Sequence, residues 1–140
     1  MEVAEITVDK QHVENRVADW EKRVADLYST IKTWLIDSEY SLKPGPKLTM
    51  FEELMSRFNI PPTDIDTADV FKNKSFILTL KPQGLWIIGV NGRIDILTMK
   101  GNYQLVDYAN QFETPQWKLF NGAKKNGVEF SKQTFLELLK

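Results

Sequence analysis

The sequence predicts an α+β fold: a long N-terminal helix packed on a four- to six-stranded antiparallel β-meander, followed by a short C-terminal helix. Three observations predict it. Apolar residues recur at helical spacing near the start, short β-rich runs separated by turn residues begin at Ser75, and a capped amphipathic segment ends the chain. The length of 140 residues is that of one ordinary domain, so we predict a single domain over residues 1–140.

The N-terminal helix is predicted over residues 9–36. No glycine or proline interrupts this stretch, and Asp9 can cap its first turn. Its apolar residues alternate spacings of three and four, as in a helical seam; they are Val13, Val17, Trp20, Val24, Leu27, Ile31 and Trp34. The seam either lies on the chain's own sheet or also meets a second copy of the chain. In the second case Trp20, Leu27 and Trp34 would form the oligomer interface.

The segment between the helix and the sheet is ambiguous. Residues 43–47 form a connector by composition, because they read Lys-Pro-Gly-Pro-Lys. Residues 48–58 fit a helix that starts with a capping box at residues 49–52, but the beginning of this segment also fits a strand. We predict that the sheet-forming region covers about residues 47–120.

Asn91 and Gly92 are the strongest turn signal in the chain, because an Asn-Gly pair suits the centre of a tight β-hairpin. We therefore predict a hairpin between residues 85–90 and residues 93–99. The facing pairs would be Val90 with Arg93, Ile88 with Asp95, and Trp86 with Leu97.

This register divides the side chains between two faces of the sheet, since they alternate along a strand. One face is almost wholly apolar and is the predicted core face; it carries Phe76, Leu78, Leu80, Leu85, Ile87, Gly89, Ile94, Ile96, Tyr103 and Leu105. The mixed face carries charged and apolar side chains together; they include Trp86, Arg93, Asp95, Leu97, Val106 and Tyr108. A solvated face should be polar. We therefore expect something to lie on the mixed face: residues 48–58, the C-terminal helix, a second subunit or a ligand.

The C-terminal helix is predicted over residues 131–139. Ser131 can cap it, and Phe135, Leu138 and Leu139 form its apolar side.

Composition limits the function. The net charge of −1 argues against nucleic-acid binding, which usually needs a basic domain. The absence of cysteine excludes disulfides and thiol chemistry, and with His12 as the only histidine we expect no metal or other cofactor. No apolar run approaches the roughly 18 residues of a membrane span, and the acidic start of the chain is unlike a signal peptide. We expect a cytoplasmic protein that makes no membrane contact.

Arg93 and Asp95 are the candidate site residues, because they share one face of one strand. They can form a structural ion pair, contribute to an oligomer contact, or bind a ligand. In a ligand site Arg93 would donate to an anion, Asp95 would orient it, and Trp86 or Tyr108 would offer a stacking surface.

The run of residues 87–96, with Trp117 some twenty residues further on, resembles uncharacterised bacterial or phage proteins. The resemblance implies no activity and no site residue. We predict a non-catalytic binding or interaction protein of this type that forms a homodimer. The alternative is a protein that binds a small anionic or nucleotide-like molecule. An enzyme of unrecognised class is the third alternative, because no nucleophile, base or metal set stands out.

Overall fold

The computed structural model describes residues 9–85, 90–121 and 127–140. In chain order the elements are helix α1 (Lys10–Trp34), strand β1 (Tyr40–Met50), helix α2 (Glu53–Arg57), strands β2 (Thr63–Lys72), β3 (Ser75–Gly84), β4 (Arg93–Thr98), β5 (Gly101–Asp107), β6 (Trp117–Asn121) and β7 (Val128–Glu129), and helix α3 (Lys132–Leu138). The strands form one antiparallel sheet in sequence order. The predicted α+β fold is confirmed, with seven strands in the described part of the chain instead of four to six.

Helix α1 forms where its pattern predicts. The side chain of Asp9 accepts a hydrogen bond of 2.8 Å from the backbone N–H of His12, which satisfies one free donor of the first turn. The apolar seam is buried against the sheet, with Val13 and Ile31 fully inaccessible and Trp20 1% exposed. Burial of this stripe gives α1 most of its stability, because an isolated helix is marginal in water.

The prediction of a connector at residues 43–47 is wrong, because these residues belong to the edge strand β1. Pro44 and Pro46 lack an N–H, and an edge strand tolerates this on its unpaired side. The register with β2 shifts between Pro44 and Lys47. At this irregularity a Cβ on Gly45 would lie 2.5 Å from Thr67 Oγ1, and that hydroxyl donates a 2.6 Å hydrogen bond to the Pro46 carbonyl.

Residues 48–58 contain both of the predicted alternatives in succession. Strand β1 continues to Met50, and α2 then places Met55 in the core with no exposed surface. The sheet therefore begins at Tyr40 and not near residue 47, and it extends to Glu129. Strand β2 was not predicted from the acidic sequence of residues 64–69.

The predicted hairpin register at Asn91 and Gly92 is wrong. Strand β4 pairs with β3 on one edge, where Arg93 faces Gly84, and with β5 on the other, where Arg93 faces Val106. Both edges of β4 are therefore occupied, and Val90 does not face Arg93 as predicted. The Asn91 N–H instead donates to the carbonyl of Asp107 at 2.8 Å, so Asn91 lies beside the end of β5. Residues 86–89, which include Trp86 and Ile88 of the predicted pairs, lie outside the described residues.

Gly92 is required by a close approach and not by a tight hairpin turn. Its φ of +132° is unfavourable for other residues, and a Cβ there would lie 2.4 Å from Cζ3 of Trp20. The indole of Trp20 also lies 6.1 Å from that of Trp117 on β6. Gly92 thus lets the sheet approach the centre of α1.

The predicted division of β4 into two faces is correct. Ile94 and Ile96 are fully buried on the inner face, while Arg93, Asp95 and Leu97 alternate with them and remain partly exposed. The inner face holds one core to which all three helices contribute. Met55 of α2, Phe135 of α3 and Leu139 just after α3 belong to this core. The opposite side, named the outer face here, is the predicted mixed face, and none of the three described helices packs on it.

Helix α3 closes the core at the far end of α1. Ser131 accepts from the Thr134 N–H, and the Thr134 hydroxyl accepts from the Ser131 N–H, which completes a capping box. Phe135 is fully buried, with its ring 6.0 Å from that of Trp34. The predicted C-terminal helix and its cap are confirmed.

Substitution of Gly92 by alanine should lower the free energy of unfolding by about 1–3 kcal/mol through overpacking against Trp20, with backbone strain in addition. The measurement is chemical denaturation followed by circular dichroism. Gly101→Ala is the matched control, because Gly101 also has a positive φ, +150°, but a Cβ there would meet no atom within 4 Å. Equal losses in the two variants would contradict the close approach of Gly92 to Trp20.

Candidate functional site

Arg93 and Asp95 lie together on the outer face, at the centre of the sheet. Arg93 Nε is 3.2 Å from Asp95 Oδ1, and the two side chains are 38% and 20% exposed. Strands β3 and β5 flank them and place Lys81 and Gln104 on either side of Asp95. The sequence therefore predicted correctly that these two residues share a face, and the structure brings them into contact.

The contact between Arg93 and Asp95 is ionic but is not an aligned hydrogen bond. In the described part of the chain, Arg93 Nε and Asp95 Oδ1 are the two buried side-chain atoms that lack a hydrogen-bond partner. The ion pair and the missing hydrogen bond are compatible. The distance of 3.2 Å is short enough for an ion pair, but the N–H of Arg93 does not point towards the carboxylate oxygen. A buried polar atom in this state costs free energy unless another group satisfies it.

Of the two aromatic residues that we propose for a ligand site, the structure describes Tyr108. Tyr108 is 44% exposed and lies two residues beyond Val106, the residue that faces Arg93. Its ring is 6.1 Å from the ring of Phe120, and Lys118 Nζ lies 5.3 Å from its centroid. These contacts hold Tyr108 against β6. Trp86, the other proposed aromatic residue, lies outside the described residues.

The proposed oligomer-interface residues of α1 pack inside the chain. Trp20 is 1% exposed and Leu27 is 5% exposed, both in the core under the sheet. Trp34 is partly buried, with its ring 5.4 Å from that of Phe130. These contacts correspond to the first alternative for the seam, in which it lies on the chain's own sheet. They leave Trp20 and Leu27 almost no exposed surface.

A buried ion pair, each of whose partners makes further hydrogen bonds, joins α1 to the end of β5. Arg23 Nη1 donates to Asp107 Oδ2 at 2.6 Å, and the two side chains are 3% and 0% exposed. Arg23 Nε donates to Asp19 one turn earlier at 2.5 Å, and Nη2 donates to the carbonyl of Glu113. The guanidinium therefore joins α1, β5 and the loop of residues 108–116.

Asp107 uses its second carboxylate oxygen to hold the same loop. Oδ1 accepts hydrogen bonds from the backbone N–H groups of Ala109 at 3.0 Å and Gln116 at 2.9 Å. The side-chain amide of Asn91, 3% exposed, donates to the carbonyl of Ala109. The buried carboxylate is thus fully bonded, which is the condition under which a buried charge is tolerated.

Arg16 is equally buried but is not bonded in the same way. It is 3% exposed, and the negative charges of Asp19, Glu52 and Asp107 favour its charged form. Burial lowers the pKa of Arg16 below its ordinary value, and the charge of nearby Asp19 partly opposes this shift. Arg16 therefore carries a desolvation cost that Arg23 offsets through direct contacts.

Sequence reasoning missed this cluster. Arg16, Asp19 and Arg23 fell among the polar positions between the seam residues, where solvent exposure is the ordinary outcome. The spacing of Asp19 and Arg23, four residues apart, is the one signal for a pair on this side of α1. Nothing local to the sequence shows that residues 108–116 cover this side of the helix.

Tyr28 forms another link between α1 and the sheet. Its hydroxyl donates a 2.8 Å hydrogen bond to the carbonyl of Asp66 on β2. Burial raises the pKa of Tyr28 well above its ordinary value of 10.0, and the charges of Asp66 and Asp69 add to the shift. The hydroxyl therefore remains a donor throughout the neutral pH range.

Comparisons with known proteins identify no relative. No protein-family model matches the chain, and neither the curated proteins nor the solved structures contain a significant match. Among residues 9–85, 90–121 and 127–140 there is no group of three or more histidine, cysteine or acidic residues arranged to hold a metal ion. Within the same residues no helix is long and apolar enough to cross a membrane.

Replacement of Arg23 by methionine should lower the free energy of unfolding by about 3–5 kcal/mol, because it leaves the buried Asp107 carboxylate without its cation. Arg16→Met is the matched control, since it removes an equally buried arginine from the same helix. We expect its stability to stay within about 1 kcal/mol of the wild type, because the apolar side chain avoids the desolvation cost. Urea denaturation measures both, and similar losses would show that Arg23 has no special role.

Proposed function

We propose that the chain is a non-catalytic binding protein that associates with a second copy of itself through the outer face of its sheet. The observation that carries this proposal is the contact between Arg93 and Asp95. It lies on the face on which none of the described helices packs, and its two facing atoms are shielded from water without a hydrogen bond. The two side chains are otherwise 38% and 20% exposed, so they can re-pair with those of a second copy in bonds that are better aligned.

The order of charges on β4 favours a second copy as the partner. A cation and an anion two residues apart on one strand are self-complementary about a two-fold axis. Each Arg93 can then donate to Asp95 of the other copy, and no net charge accumulates at the interface. Arginine is also enriched in protein interfaces relative to lysine and the acidic residues.

Partly exposed apolar side chains near the charged pair support the same proposal. Leu97 continues the same face along β4 and is half-buried. Tyr108 extends this surface towards β6 with a ring that is 44% exposed. A partly apolar centre with polar groups around it is the usual composition of a protein interface.

A site for a small anionic or nucleotide-like ligand has less support as a function of the same residues. Among the described residues the aromatic surface for such a site would be Tyr108, and its ring packs against Phe120 and Lys118. An assembly that forms without any added ligand would separate the two proposals. We also place the protein in the cytoplasm, because a chain without cysteine suits a reducing compartment.

The test exchanges the two charges and measures mass in solution by analytical ultracentrifugation. Wild-type protein at high micromolar concentration should approach twice the chain mass of 16.2 kDa. Arg93→Asp places two carboxylates on each copy at the interface, so it should give the single-chain mass. The double variant Arg93→Asp with Asp95→Arg restores both pairs with exchanged positions and should recover the dimer.

Circular dichroism of each variant separates association from folding. Lys22→Glu serves as the control for charge alone, because Lys22 is 76% exposed on α1 and remote from the outer face. A wild type that stays at 16.2 kDa at all concentrations would refute the proposed dimer. Folded double-exchange protein that remains a single chain would refute the reciprocal pairing.

A further inference from the structure

A cleft of about 450 Å³ opens at the end of the sheet that lies next to the end of α3. It lies where the turn between β2 and β3 and the turn between β4 and β5 come together, away from the Arg93–Asp95 pair. Tyr40, Phe76 and Leu138 line it with apolar surface, and Lys72 and Lys100 are among its other lining residues. We name it the lysine cleft.

Large apolar side chains at the lysine cleft are exposed to an unusual degree. Met99 is 91% exposed and Phe76 is 48% exposed. Single exposed apolar residues are normal on a protein surface, but here they adjoin a cleft with apolar walls, so that the apolar surface is continuous. The exposed surface and the cleft together form a place where a partner's side chain can be buried.

The turn that carries Met99 is fixed by hydrogen bonds. The hydroxyl of Thr98 accepts from the N–H groups of Lys100 and Gly101, both at 3.1 Å, and donates to the Gly101 carbonyl at 2.7 Å. The side chain of Lys100 donates to the main-chain oxygen of Lys140, which uses one of the three N–H donors of its ammonium and holds it near the end of α3. A surface ordered in advance loses little conformational entropy on binding.

The charged side chains that line the cleft are lysines, and the carboxylate of Glu39 lies beside one of them. Among the described residues that line it there are three lysines and no acidic residue, although the whole chain has 19 acidic and 18 basic residues. Lys72 Nζ lies 3.6 Å from a carboxylate oxygen of Glu39, but the two side chains are 47% and 66% exposed. An ion pair so exposed is weak, so Lys72 can exchange it for a partner's carboxylate.

We infer that the lysine cleft binds an acidic peptide segment that carries one bulky apolar side chain. The apolar side chain enters the cleft between Phe76 and Leu138, and the flanking carboxylates reach Lys72 and Lys100. This combination of a buried anchor and a charged rim is typical of peptide recognition, in which the anchor gives affinity and the charges give specificity and speed of encounter. A concave site with apolar walls favours an inserted side chain over a flat surface.

The binding experiment uses a fluorescein-labelled peptide, Glu-Glu-Leu-Phe-Glu-Glu, and fluorescence anisotropy with the full chain. We expect saturable binding that weakens as salt increases, because exposed charges are screened. Two peptides serve as controls. One replaces the glutamates by lysine and should not bind, and the other replaces the Leu-Phe anchor by two alanines and should bind at least about tenfold more weakly.

Protein variants test the location. Lys72→Glu with Lys100→Glu should weaken the peptide at least about tenfold by placing like charges opposite it. The matched control is Lys22→Glu with Lys47→Glu, which changes the net charge equally at two lysines that also form exposed ion pairs elsewhere. It should leave the affinity within about twofold of the wild type, because distant exposed charges are screened.

Three results would overturn the inference. The first is no binding of the acidic peptide at high micromolar protein. The second is equal binding of the peptide without its apolar anchor, which would show attraction by charge alone. The third is binding to phosphatidylserine vesicles without binding to the free peptide, which would assign the lysines to a membrane surface.

Discussion

The buried pair of Arg23 and Asp107 is the interaction on which the arrangement of this protein depends. It connects the middle of the long helix to the end of a central strand, and each partner also bonds the loop of residues 108–116. Hydrophobic burial drives α1 onto the sheet but is not directional. The ion pair adds a fixed point, because its donors and acceptors have defined directions and are costly to leave unpaired.

The pair of Arg23 and Asp107 also influences which side chains lie on the outer face of the sheet. Asp107 also pairs through its backbone with Asn91 and Gly92, so the same residue sets the path of the chain as it enters β4. Gly92 then passes directly over Trp20, which no residue with a Cβ could do without displacement. Because Ile94 and Ile96 must face inward from this point, Arg93 and Asp95 are directed outward. The pair on which our proposed association rests is therefore placed by the core.

The features that depend on local sequence were predictable. The seam of α1, its cap at Asp9, the capping box at Ser131 and the alternation along β4 each follow from residues close together in the chain. The features that depend on distant partners were not. Strand pairing at β4 is decided by β3 and β5, which compete successfully with the local Asn-Gly signal.

Two further errors have the same physical origin. Residues 43–47 look like a connector because proline is excluded from central strands, yet an edge strand has one side on which no donor is needed. Arg16 and Arg23 look solvated because they flank the seam, yet Arg23 is covered by a loop about ninety residues further along the chain. At the candidate site, the sequence placed Arg93 and Asp95 together but gave no sign of their unsatisfied atoms, which depend on side-chain geometry.

Amide hydrogen exchange at Ala109 and Gln116, measured by NMR, tests the central claim most directly. Both N–H groups donate to the buried Asp107 carboxylate, although both residues lie outside the helices and strands. If the pair of Arg23 and Asp107 is the fixed point of the structure, these two amides should exchange only in openings as costly as those that expose the core strands. Exchange as fast as that of an unstructured peptide would contradict the account.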